Sequence, residues 1–106
     1  MAGAGAQANI QLPMAAIEAF CRKNRIRRLS LFGSVLRDEL SPDSDIDVLI
    51  EFEPGHAVDF FDFMELQFQL SEIFGRDVDL NTPGILSRYF RQQVMDTAQV
   101  VYEQAG

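Results

Sequence analysis

From Asp45 to Phe52 the chain alternates with a period of two. Ile46, Val48, Ile50 and Phe52 are apolar, and Asp45, Asp47, Leu49 and Glu51 fall between them. This is the pattern of a strand with two unlike faces, so the aliphatic residues enter a core and both aspartates leave from the opposite face. Ile26 to Phe32 reads as a preceding strand, Arg76 to Asn81 as a third and Gln99 to Glu103 as a fourth. Between them the apolar spacing turns helical. A first helix runs from Pro13 to about Asn24 on a stripe of Met14, Ile17, Phe20 and Cys21, and a short helical turn covers about Val35 to Leu40 until Pro42 breaks it. The helix from about Val58 to Phe74 carries two stripes. Phe63, Leu66, Leu70, Ile73 and Phe74 suit a core, whereas Phe60, Phe61, Met64 and Phe68 exceed what one sheet-facing stripe needs and suit a protein interface. A last helix, about Ile85 to Thr97, repeats Leu86, Tyr89, Phe90 and Val94, which puts Tyr89 in the core.

Helices and strands therefore alternate, beginning with a helix. The expected fold is α/β (α+β), a single mixed sheet with helices packed mainly on one side and the acids on the other side or at its edge. Residues 12–106 form one domain, and residues 1–11, MAGAGAQANIQ, have little to bury and read as a disordered tail.

Charge narrows the partners. A net charge of −7 speaks against a nucleic-acid backbone as a direct partner. Five of the nine basic residues lie within Arg22 to Arg28, a cluster that suits a solvated helix end and strand start better than a ligand site. The single cysteine, Cys21, cannot form an internal disulfide and falls on the apolar face of the first helix. No leader pattern or long apolar run is present, so a soluble cytoplasmic chain is expected. His56, the only histidine, sits in the loop EPGHA and reads as a loop residue rather than a catalyst.

The chemistry gathers around the second strand. Side chains two apart on one strand face are about 6.6 Å apart at their bases, and carboxylates so placed can converge on two metal ions about 3.5–4 Å apart. Mg2+ suits such a site because it takes oxygen ligands and leaves positions for phosphates and water. Upstream, Gly33 lets a phosphate approach the backbone, and Ser34 stands where a helical turn exposes N–H groups to an anion. On the third strand Asp77, Asp79 and Asn81 share one face, so either aspartate could add a third carboxylate. Arg37 could face phosphates or fix the loop through a salt bridge.

Gly33-Ser34, ten residues and Asp45-Ile46-Asp47 spell GSx10DxD, with Arg37 inside GSVLRDEL and the loop SPDSDID following. Together with FGRDVDLNTPGILS and the final VVYE, this resembles the minimal nucleotidyltransferases of the DNA polymerase beta-like superfamily over about Ile26 to Tyr102. The resemblance implies a palm-like nucleotidyltransferase core with Asp45, Asp47 and Asp79 as metal-binding and catalytic acids. Gly33, Ser34 and Arg37 would lie at the nucleotide, with two Mg2+ ions and ATP as the substrate. It further implies an antitoxin paired with a HEPN-type toxin, to which AMP is transferred, with tyrosine as the acceptor. Larger members of the superfamily add a domain for the acceptor, so a homo- or hetero-oligomer is expected to complete the pocket here. The reading from a different class is a non-catalytic antitoxin or binding module that neutralises its partner by complex formation, although three acids on one face would then repel one another to no purpose.

Overall fold

The computed structural model describes residues 12–33 and 45–104. The expected N-terminal tail, the helical turn after Ser34 and the loop around Pro42 lie outside the described residues. Within them the order is α1 (Met14–Lys23), β1 (Ile26–Phe32), β2 (Ile46–Phe52), α2 (Phe60–Phe74), β3 (Val78–Asn81), α3 (Arg88–Thr97) and β4 (Gln99–Glu103). The strands form one mixed sheet in the order β3-β2-β1-β4. β1 is antiparallel to both β2 and β4, whereas β2 and β3 are parallel and joined through α2.

Local chemistry sets the element ends. Asn24 closes α1 by donating its side-chain amide to the Phe20 carbonyl at 2.8 Å. α2 starts two residues later than the apolar pattern suggested, because Asp59 caps it by accepting from the Asp62 N–H at 2.8 Å. It stops at Gly75, whose φ of 74° is the left-handed conformation that glycine adopts without strain. Ser87 caps α3 by accepting from the Phe90 N–H at 3.3 Å, so that helix begins at Arg88 rather than near Ile85.

The main core lies between one face of the sheet and the helices α1 and α2. Ile17, Phe20 and Cys21 of α1, Leu66 and Leu70 of α2, and Leu29, Leu31, Ile46, Val48, Ile50, Val78 and Leu80 of the sheet are buried together. Phe63, Ile73 and Phe74 pack against them half-buried, as the first stripe of α2 predicts. A smaller cluster of Phe32, Leu49, Leu86 and Val94 occupies the other face, where α3 covers only part of the sheet. Hence two helices share one face and the third sits across from them.

Three expectations fail at the helices. Tyr89 is 89% exposed rather than core, Phe90 is also exposed, and Met14 lies outside the buried stripe of α1. Helical spacing identifies residues that share a face, but only Leu86, just before α3, and Val94 on it are buried against the narrow apolar strip offered by Phe32 and Leu49, while Phe90 meets Phe32 edge-on from the rim. The second stripe of α2 is exposed as expected.

Candidate functional site

The face of the sheet opposite the main core carries the acids. Ile46 and Val48 pair with Val78 and Leu80 and point into that core, so Asp47 and its register partner Asp79 stand side by side on the other face. Adjacent strands lie about 4.8 Å apart, which brings the bases of these two side chains closer than Asp45 and Asp47 are to each other. Asp45 directly precedes β2 and is exposed, Asp79 is exposed, and Asp47 is half-buried. One step back along the ladder, the Ile46 N–H donates to the Asp77 carbonyl at 2.9 Å, which sets Asp77 near Asp45. The register therefore puts Asp79, and not Asp77, beside Asp47.

Gly33 completes this edge from β1. Its φ is 78°, and a Cβ built on it would overlap the Oδ2 of Asp47. The neighbouring Phe32 is the register partner of Asp47. Glycine is thus required twice here, by backbone conformation and by the carboxylate that occupies the space of the missing side chain. Ser34 and Arg37, expected at the nucleotide, lie outside the described residues.

The outer edge of β3 is held by α2. The Val78 N–H donates to Ser71 Oγ at 3.0 Å, and the Leu80 N–H donates to Gln67 Oε1 at 3.0 Å. These bonds flank Asp79 and fix the strand that carries it. Sequence reasoning missed both residues; their signal was two hydrogen-bonding side chains four apart, which share one side of the helix. Asp45, Asp77, Val78 and Asp79 form one wall of a depression of ≈ 500 Å³, and Met64, Gln67, Phe68 and Ser71 form the other.

Other candidates lie away from this edge. Arg25 pairs with Glu53 at 3.3 Å, Arg27 with Glu51 at 3.1 Å, and Arg28 with Glu51 at 3.4 Å and Glu103 at 3.0 Å. The basic cluster is thus largely engaged by acids of its own chain, at the far end of β2 from Asp45. His56 lies in a loop with its ring edge-on to Phe52, centroids 5.4 Å apart.

Among the described residues, no group of three or more His, Cys, Asp or Glu side chains is gathered in a way that could hold a metal ion. The donors on the acid edge are nevertheless all oxygen and stand on adjacent, register-locked strand positions, a set that suits a hard cation such as Mg2+. Among the described residues no helix is long and apolar enough to cross a membrane.

A mixed four-stranded sheet with three helices is the fold of a nucleotidyltransferase domain. The family model of that domain matches residues 14–101, and the chain belongs to this family of enzymes. It is 33% identical, over 72% of its length and 80% of the relative's, to a Methanocaldococcus jannaschii protein assigned as a protein adenylyltransferase. Among solved structures, a toxin-antitoxin crystal structure with AMP-PNP superposes with a TM-score of 0.72 at 25% identity, covering 88% of this chain and 75% of the other. A complex of a tri-AMPylated Shewanella oneidensis HEPN toxin with an MNT antitoxin gives a TM-score of 0.64 at 25% identity, covering 86% and 70%.

Proposed function

We propose that this chain is a Mg2+-dependent protein adenylyltransferase that moves AMP from ATP to a tyrosine hydroxyl of a HEPN-type toxin, acting as its antitoxin in the cytoplasm, where ATP is available. The observation that carries this reading is the register of Asp47 with Asp79 beside Gly33. Its relatives include a protein assigned as an adenylyltransferase and a structure with AMP-PNP, which support ATP as the donor.

In this reading Asp45, Asp47 and Asp79 would hold the Mg2+, which would supply positive charge against the phosphates and the leaving oxygen. Gly33, whose missing side chain makes room for the Asp47 carboxylate, and Ser34 seat the phosphates with backbone N–H groups, and Arg37 adds positive charge there. The acceptor oxygen attacks the α-phosphorus of ATP. A new P–O bond forms, the bond from that phosphorus to the α–β bridging oxygen breaks, and pyrophosphate leaves. Asp79, which is exposed, takes the hydroxyl proton. Gln67 and Ser71 act through β3, holding Asp79 in register with Asp47.

Neutralisation by complex formation alone is the second reading, and the exposed row Phe60, Phe61, Met64 and Phe68 favours it. The two separate by intact mass of a HEPN-type toxin after incubation with this chain, ATP and Mg2+. A gain of one or more AMP masses that disappears in the Asp45→Asn, Asp47→Asn double variant supports transfer. A stable complex with no mass gain from the wild-type chain would leave only the binding module.

A further inference from the structure

α2 carries a row of side chains that the core does not use. Phe60, Phe61, Met64 and Phe68 are 69%, 81%, 40% and 61% exposed. At about 100° per residue, this row is bordered on one side by Gln67 and Ser71, which bond the edge of β3, and on the other by Glu65 and Glu72. Both glutamates are exposed. Met64 and Phe68 also wall the depression whose opposite side is Asp45, Asp77, Val78 and Asp79. The surface thus has an apolar strip between two acidic margins, and among the described residues neither α2 nor the lining of the depression contains a Lys or Arg.

That charge pattern selects the occupant. A nucleic acid or an anionic bilayer would set phosphates against these carboxylates and a net charge of −7. A second copy would bring the same acids together across a two-fold axis. A polypeptide segment with apolar side chains between Lys or Arg residues satisfies both the strip and its margins. Building on the adenylyltransferase reading above, we propose that Met64 and Phe68 seat the acceptor segment of the partner protein, an apolar stretch flanked by basic residues, and lead its hydroxyl to the Asp79 edge. α2 thereby sets acceptor specificity beside the acids.

The test titrates the isotope-labelled chain, followed by amide NMR, with three synthetic peptides that each carry one central Tyr. One combines Lys and Arg with Leu and Phe, one combines Asp and Glu with the same apolar residues, and one combines Lys and Arg with Ser and Gly. The basic apolar peptide is expected to bind about tenfold or more tightly than the others. It should shift the amides of Met64, Phe68, Ser71 and Asp79. In Phe68→Lys, an exposed position where folding is undisturbed, its affinity should fall about tenfold while a fluorescent ATP analogue still binds with Mg2+. Equal affinities, no binding of the basic apolar peptide up to about 1 mM, or shifts confined to another surface would overturn the proposal. The analogue separates the two layers. A chain that binds the peptide and not the nucleotide overturns the adenylyltransferase reading, whereas one that binds the nucleotide and discriminates no peptide overturns the acceptor seat alone.

Discussion

Gly33 and Gly75 share a left-handed backbone but differ in surroundings. Their φ angles are 78° and 74°; a Cβ at Gly75 would meet nothing within 4 Å, whereas one at Gly33 would overlap Asp47. Alanine at either position should cost about 1–2 kcal/mol through the backbone. Only Gly33→Ala must also displace the carboxylate, so it should lose additional stability and abolish AMP transfer while Gly75→Ala keeps transfer. Urea unfolding and the intact-mass assay on both variants check this, and equal behaviour would remove Asp47 from the account. Cys21 gives a second residue-level prediction. Burial first, and the nearby Glu18 charge second, push its thiol from 9.0 up to about 12. The folded state holds the thiol neutral, so this contribution to stability is intact below 9 and is lost as pH rises toward 12. At pH near 8 alkylation should therefore follow global unfolding, seen as identical denaturant midpoints for iodoacetamide labelling and circular dichroism. At this scale the sequence was informative about direction. Period two already separated Asp45 and Asp47 from Ile46 and Val48, whereas helical spacing could not tell that Tyr89 stays exposed.

The strands were legible almost residue for residue, since alternation and turn residues bound them locally, and the helices were legible in their middles. Their starts moved inward to Phe60 and Arg88 because Asp59 and Ser87 supply caps that apolar periodicity does not register. What the pattern of α2 could not reveal is the strand edge it spans. Gln67 and Ser71 look no different from the other polar positions of this helix, yet they accept the outward N–H groups of Leu80 and Val78. Gln67→Leu leaves the Leu80 N–H without its partner on a nearly buried edge and should cost about 1–3 kcal/mol. A loosened β3 would also free Asp79 from its register with Asp47. Transfer is expected to fall further than the unfolded fraction explains, and amide exchange at Leu80 to accelerate selectively. Unchanged Leu80 exchange would show that the edge is held by other means.

Over the whole molecule, sheet order and charge act together. That α3 would cross to the face opposite α1 and α2 was not legible, because the apolar strip it uses is made of Phe32 on β1 and Leu49 on β2, residues that become neighbours only when the sheet forms. The same assembly gathers Asp45, Asp47, Asp77 and Asp79 at one edge of a chain with a net charge of −7. Without a cation these carboxylates repel one another, and a cation that binds only the folded edge must stabilise the fold. At Mg2+ concentrations about tenfold above Kd the gain is about 1.4 kcal/mol, which for a domain of this size raises Tm by about 5 °C. Sodium chloride at matched ionic strength screens the repulsion without occupying a site, so its increment should be smaller. In Asp47→Asn, Asp79→Asn the specific part of the Mg2+ increment should vanish, while the general salt response of the remaining surface persists. Thermal unfolding of both proteins in Mg2+, in chelator and in matched sodium chloride separates the two terms. Equal increments from Mg2+ and sodium chloride in the wild-type chain would reduce the acid edge to a diffuse surface field and would remove the metal from the proposed reaction.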